Sequence, residues 1–573
     1  MASSLMYDVI QPLFTPPSVC TNGCATWNAL AKDGNMANQT YVNSLWGSQT
    51  MLNSAKNNCA MPANYIGTQY ISLLSPSFIT STSLTSEQLQ LSFDFSFGPQ
   101  CYCKGAPGNT TTIWGYCTDP RIPTPQQINV QYGNSDTNII ISYVTIDFNV
   151  TSVNLPIVEW CTTDNQCTNI TGTTTFAAEP QFEQRIYSYH FVSIPTVDYD
   201  TTYTYRCIGG TAIANWSEKL TFRTRKSSPN PVRFGIVGDL GIYPFNCFTN
   251  LLNDITNENI DFFIHLGDHA YNMPMNEGAR GDAYMIGFQP ILSSIPWLSI
   301  MGNHEYEGSP FGGYCQFMKP PVNCEYRYLN QTAGFMVTGN ASNSYTNRYY
   351  SIDIGYVHFI VLDYNYYLGL EPEEIATAQL QWLETDLIKA NNNRDAVPWI
   401  IINAHVPMYC SSADVSKEKP VHALTGEPLD SSRTSSPYNG CQGTGVPIAE
   451  KLIKDIEPLM IKYGVDLHLT GHNHNYESTF PVINGTVQER SYINPTGPIH
   501  VTTGAGGAPA FSDFTDPAPF TRSQIEAWSY SKVIVYNSTT LYWEQIANNN
   551  NTVLDSWIIQ QANHGPFKNK PSK

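Results

Sequence analysis

Charge is what this sequence has least of. Asp, Glu, Lys and Arg together make up 13% of its 573 residues, about half the share of an ordinary soluble protein. Positive charge is the scarcer sign: 29 Lys and Arg stand against 47 Asp and Glu, a net charge of −18. Nucleic acid and anionic membrane surfaces both want a basic face, so neither is expected as the main partner. A site for an anionic substrate must draw its positive charge from elsewhere, and bound metal ions are one source. Apolar runs long enough to span a bilayer are also lacking. So is a basic stretch leading into an apolar one at the start, and the secretory signal is expected to be absent from this sequence.

Among 14 cysteines there is no zinc-finger Cys-x-x-Cys repeat. Several instead stand close together: Cys20 and Cys24, Cys101 and Cys103, Cys161 and Cys167, Cys315 and Cys324. Their even number and spacing favour disulfides. Ten Asn-x-Ser/Thr sequons, Asn169, Asn484 and Asn537 among them, point the same way. A secreted or lysosomal/vacuolar protein is expected.

The length favours three or four domains. Residues 1–118 are rich in Ser, Thr and Asn, hold six cysteines and show no usable periodicity. Residues 119–226 change pattern: short β-rich runs such as "NIIISYVTIDF", "RIYSYHFVSI" and "KLTFRT" alternate with turn residues. That spacing suits a fibronectin- or immunoglobulin-like β-sandwich. "RKSSPNP" at 225–231 reads as a linker. Residues 231–560 then alternate strand-length apolar runs with helical patterns, among them "PEEIATAQLQWLETDLIKA" and "IAEKLIKDIEPLMIKYG". An α/β domain is expected, its sheets covered on both faces.

Polar residues cluster where those runs end. "VRFGIV" leads into Gly238-Asp239, "IDFFIHL" into Gly267-Asp268-His269-Ala270-Tyr271, and "PWLSIM" into Gly302-Asn303-His304-Glu305. "WIIINA" leads into His405, and "VDLHLT" into Gly471-His472-Asn473-His474. One such end is usually a cap or a turn. Five in one domain point to side chains converging beyond the carboxyl ends of the strands, where α/β sheets bind ligands.

The order and type of these blocks resemble the purple acid phosphatases, a branch of the binuclear metallophosphoesterases. That family reads D-x-G, G-D-x-x-Y, G-N-H-[E/D], V-x-x-H and G-H-x-H. Here the blocks are Asp239-Leu240-Gly241, Gly267 to Tyr271, Gly302 to Glu305, Ile402 to His405 and Gly471 to His474, with Ile402 the single departure. The fourth block continues as His405-Val406-Pro407-Met408-Tyr409-Cys410, similar to one branch of the family. Mixed β-sheets packed as a sandwich with flanking helices, preceded by a fibronectin-like domain, are the fold this implies over roughly residues 120–560.

The resemblance also implies a ferric ion held by Asp239, Asp268, Tyr271 and His474. It implies a divalent ion (iron, zinc or manganese) held by Asp268, Asn303, His405 and His472, with Asp268 bridging. Carboxylate and phenolate oxygens suit the hard trivalent ion, imidazole and amide the borderline divalent one. His304 is then the general acid or phosphate clamp, with Asn303 also on the substrate side. Glu305 beside His304 is the second catalytic candidate, orienting that histidine or raising its pKa, or else is a solvated turn residue. A histidine that several members carry nine residues after the His405 position is here Asp414. The polar stretch from Ser411 to Gly440 reads as a lid, closed off by Cys410 and Cys441, with His422 as the substitute contact.

Phosphomonoester hydrolysis at acid pH, by attack of a metal-bound hydroxide, is the activity this implies. Small-molecule phosphate esters are the partners, and the oligomeric state is left open. Two other readings stand beside it: a phosphodiesterase or nucleotide pyrophosphatase on the same centre, and a non-catalytic secreted adhesion glycoprotein.

Overall fold

The structure is a computed structural model. It describes residues 24–25, 101–104, 112–115, 125–147, 154–162, 166–179, 182–210, 216–241, 246–271, 279–305, 348–368, 373–412, 419–420, 448–508, 510–512, 514 and 516–567. The expectations for Asp414, His422, Cys441, the Cys315/Cys324 pair and nearly all of 1–118 lie outside these residues.

Eight strands build a two-sheet sandwich: β1 (Gln126–Tyr132), β2 (Ile139–Asp147), β3 (Asn154–Cys161), β4 (Cys167–Thr171), β5 (Thr173–Glu179), β6 (Phe182–Ile194), β7 (Thr202–Gly210) and β8 (Leu220–Arg223). One antiparallel sheet has the order β1-β2-β6-β5 and the other β8-β7-β3-β4. Alternation along the strands turns Val130, Tyr132, Ile139 and Ile141 from one sheet onto Val158, Tyr203 and Tyr205 of the other. Cys161 and Cys167 close a disulfide across the β3–β4 hairpin, as their spacing suggested.

The second unit is built of two mixed sheets. The first carries three parallel strands, β9 (Val232–Val237), β10 (Phe262–His265) and β11 (Trp297–Ser299). It continues through antiparallel β19 (Ser529–Val535), β20 (Thr540–Ala547) and β21 (Val553–Gln560), in the order β11-β10-β9-β19-β20-β21. The second comprises β12 (Tyr350–Ile354), β13 (Val357–Val361), β14 (Trp399–Asn403), β15 (Leu467–Thr470), β16 (Tyr476–Thr479), β17 (Ile499–Thr503) and β18 (Thr521–Ile525). Their order is β12-β13-β14-β15-β17-β16-β18, with β13, β14, β15 and β17 parallel.

Phe234, Ile236, Phe262 and Ile264 face Phe359, Ile401, Leu469 and Val501 between the two sheets. Helices cover the outer faces. Against the first sheet lie α1 (Phe248–Thr256) and α2 (Ala279–Leu292), and against the second α3 (Glu373–Asn392), α4 (Ile448–Asp455) and α5 (Glu457–Tyr463). The stretch "IAEKLIKDIEPLMIKYG" reads as one helix by period, yet folds as two. Pro458 has no N–H to continue the first helix and instead starts the second.

The segment 225–231 is not a loose tether. Arg225 is buried and paired with Asp136. Tyr205 Oη donates to the Ser293 carbonyl at 2.8 Å, and Ile128 N–H donates to Gln289 Oε1 at 3.0 Å. Arg223 pairs with Asp261 at 3.3 Å. Sandwich and α/β unit therefore share one apolar core, and the linker reading gives way to a fixed joint.

Candidate metal centre

Five parallel strands, β9, β10 and β11 of one sheet and β14 and β15 of the other, end at a common edge. Backbone bonds knit their ends together: Asp239 N–H to Gly267 O at 3.1 Å, Leu240 N–H to Asp268 O at 3.2 Å, and Gly471 N–H to His405 O at 2.9 Å. Asp239 (φ 56°), Asp268 (φ 53°), Tyr271 (φ 51°) and His472 (φ 68°) all lie in the left-handed region. Non-glycine residues avoid it, and its use marks sites where the surroundings force the backbone. Gly267 and Gly302 allow the approach. A Cβ on Gly302 would overlap Asp268 Oδ1, and one on Gly267 would lie 2.6 Å from Gly302 N and 2.7 Å from His405 Nδ1.

All seven expected ligands come together, in two groups. Tyr271 Oη lies 3.1 Å from Asp239 Oδ1 and 2.7 Å from His474 Nε2, and His474 Nε2 is 3.5 Å from Asp239 Oδ1. In the second group Asn303 Oδ1 is 3.0 Å from His405 Nε2 and 2.9 Å from His472 Nδ1. His405 Nε2 is 3.3 Å from both His472 Nδ1 and Asp268 Oδ2. The His472 N–H donates to Asp239 Oδ2 at 2.7 Å and joins the groups. The first group offers a carboxylate, a phenol and an imidazole, the second a carboxylate, an amide oxygen and two imidazoles. Both are donor sets of metal-site chemistry.

The surroundings orient these side chains. His405 Nδ1 is hydrogen-bonded to the Leu266 carbonyl at 2.7 Å, which aims Nε2 inward. Glu305 is only 2% exposed. Its carboxylate accepts the N–H groups of Asp268, His269 and Gly302, each at 2.8 Å, and pairs with His269 Nδ1 at 3.2 Å. Of its two expectations, the solvated turn is thus ruled out. Nothing but its place in the third block marked it from sequence. His304 donates its backbone N–H to Asp268 Oδ1 at 2.9 Å. Its side chain is 27% exposed, the ring beside that of Tyr271 at 4.7 Å between centroids. Asn303, His304 and His472 are the partly open residues of the centre.

Charge is held in a defined pattern. Burial alone would raise the Asp268 carboxyl, but the imidazoles of His405 and His304 hold it well below the usual carboxylate range. Burial disfavours a proton on His405, yet Asp268 and Asp239 outweigh it and push it up to about 10. Burial and the neighbouring His405 push His472 down to about 3. Burial raises Asp239. Among the described residues a second acid/thiol group, Glu159 with Cys161 and Cys167, is no such site, since its sulfurs are joined.

Paired α/β sheets with metal-ligand types gathered on loops at one edge form a candidate two-metal centre, and the family comparisons give it its class: a metallophosphoesterase. Residues 232–476 match the calcineurin-like phosphoesterase family, residues 125–224 the purple acid phosphatase N-terminal domain, and residues 497–556 the iron/zinc purple acid phosphatase-like protein C family. Human acid phosphatase type 7 is 31% identical over 371 residues, covering 62% of this chain and 74% of the relative. Purple acid phosphatase 22 of Arabidopsis thaliana is 27% identical, covering 75% and 83%. The Fe(3+)-Zn(2+) purple acid phosphatase 12 of the same plant is 26% identical, covering 76% and 85%. The purple acid phosphatase PPD1 of yellow lupin has the same fold, with a TM-score of 0.57 at 20% identity, covering 81% of this chain and 79% of that one. The chain belongs to the purple acid phosphatase family and is an acid phosphatase.

Proposed function

We propose that this chain hydrolyses phosphomonoesters at acid pH with an iron(III) and a divalent ion, zinc, iron or manganese, at the described edge. The convergence of the two donor groups supports this reading most directly. Asp239, Tyr271 and His474 would hold the ferric ion, Asn303, His405 and His472 the divalent one, and Asp268 both. When bound, such a pair supplies Lewis acidity and a water acidic enough to serve as nucleophile at low pH.

The chain's own residues do the rest. His304 faces the open side, and as imidazolium it donates a hydrogen bond to a phosphoryl oxygen or a proton to the leaving oxygen. Asn303 and His472 line the same opening, so substrate approaches over the second group. Glu305 acts as a positioning residue through the three N–H groups it accepts. From sequence, His422 is proposed as the further substrate contact. Secretion accords with the Cys161–Cys167 disulfide, with Cys410 also being disulfide-bonded, and with exposed sequon residues Asn169, Asn484 and Asn537. Among the described residues no helix is long and apolar enough to cross a membrane.

Comparing p-nitrophenyl phosphate with bis-p-nitrophenyl phosphate tests the substrate class, and elemental analysis tests the centre. The proposal expects faster monoester hydrolysis and two metals per chain. A preference for the diester, or a single metal, would count against it.

A further inference from the structure

Beyond the ligands lies a buried polar lattice that the mechanism leaves unused. Glu477, 1% exposed, sits on β16 three residues after His474. Its carboxylate accepts the Ser411 N–H at 2.6 Å, the Ser411 hydroxyl, and the Thr521 hydroxyl at 2.7 Å. Gln524 Nε2 donates to Ser411 Oγ at 2.7 Å. Nearby, Asn475 Nδ2 donates to Ser412 Oγ at 2.9 Å and to the Ser512 carbonyl at 3.1 Å. Ser512 Oγ in turn accepts the His474 N–H at 2.9 Å.

Three chain segments meet there. Residues 405–412 begin with His405, residues 474–477 begin with His474, and Ser512, Thr521 and Gln524 close the group. We propose that Glu477 is a positioning residue, holding the His405 and His474 segments at the separation a two-metal site needs. This rests on the functional reading above, in which those histidines serve different ions.

Energetics favour such a role over plain stabilisation. A buried carboxylate is costly to desolvate, and an apolar residue of similar volume often serves stability as well or better. Hydrogen bonds are directional and short, so they fix distances that apolar packing leaves soft. Here one carboxylate takes three donors from two segments. Burial raises the Glu477 carboxyl and the donated hydrogen bonds oppose that rise.

The test uses the full chain and compares wild type with Glu477→Leu, Glu477→Gln and Thr521→Val. Iron and zinc affinity are measured against a competing chelator, the visible band of the iron form is recorded, and circular dichroism reports the fold. Glu477→Leu should fold yet bind metal several-fold more weakly, less than the roughly 10–100-fold lost when a group bonded directly to a metal ligand is removed. Its visible band should weaken or shift. Glu477→Gln can keep its oxygen on the Ser411 N–H and should recover most of the affinity. If the leucine variant does not fold, the near-isosteric Thr521→Val decides, and it should shift affinity in the same direction. Wild-type affinity and band in Glu477→Leu, or in Thr521→Val where the leucine variant does not fold, would overturn the role of Glu477. A wild type that takes up neither metal would instead overturn the functional reading.

Discussion

Tyr271 Oη stands within hydrogen-bond reach of both Asp239 and His474, so a ferric ion there would take a phenolate ligand. Phenolate-to-iron charge transfer colours a protein, and Tyr271→Phe is expected to bleach the oxidised form while leaving the fold intact. A visible spectrum beside circular dichroism checks this, and unchanged colour would remove Tyr271 from the ligand set. Glu305 poses a different question. Removing its carboxylate strands three buried N–H donors, each costing about 1–3 kcal/mol. Glu305→Ala should therefore lower the melting temperature and metal content together. Glu305→Gln keeps an acceptor oxygen and should restore both in part, with activity returning alongside, which it could not do if Glu305 transferred protons. Full stability and metal content with activity lost in both variants would make Glu305 catalytic after all.

At the scale of elements, the loop after β11 has almost no freedom. Gly302→Ala would drive a methyl against Asp268, whose N lies 2.6 Å from where the Cβ must go. We expect lost divalent metal and at least about 1–3 kcal/mol of destabilisation, read by elemental analysis and chemical denaturation. A fully loaded, stable variant would show that the loop can shift. The strands feeding these loops were legible because each is an apolar run closed by polar residues, in four of the five directly after a glycine, a pattern that names both the strand and its functional end. Helix α2 was not: Pro290 lies inside it, and apolar residues fall on no single stripe. Glu477 was invisible for another reason. It lies three residues after His474, but nothing local says that its partners are Ser411 and Thr521, 66 and 44 positions away. Sequence patterns name ligands well, and the groups that aim them poorly.

For the whole molecule, buried histidines set the pH response. Burial pushes His190 in the sandwich and His468 in the second sheet down to about 3. Each is neutral when folded but takes a proton near pH 6.5 when unfolded, so its contribution is intact above 6.5 and drains away as pH falls toward 3. At pH 5 the loss is about 2 kcal/mol apiece. His358 has the opposite sign. Burial opposes its charge, but Asp353 and Asp386 raise it to about 9. Its contribution is complete below pH 6.5 and is lost as pH climbs through 9. Melting temperature should thus fall from neutral pH into the acid range where the enzyme is proposed to work. His190→Gln should flatten that decline even if it lowers the neutral value, and an unchanged slope would refute the assignment.

The joint between sandwich and α/β unit carries a consequence for heredity. Tyr205, Arg223 and Ile128 on one side are written against Ser293, Asp261 and Gln289 on the other. A recombination event cutting at residues 225–231 would separate the two genes' halves cleanly in topology while orphaning each of these pairs. A foreign sandwich without matching partners would leave the Ser293 carbonyl, Asp261 and Gln289 without these bonds, so such an exchange is expected to cost stability at the joint.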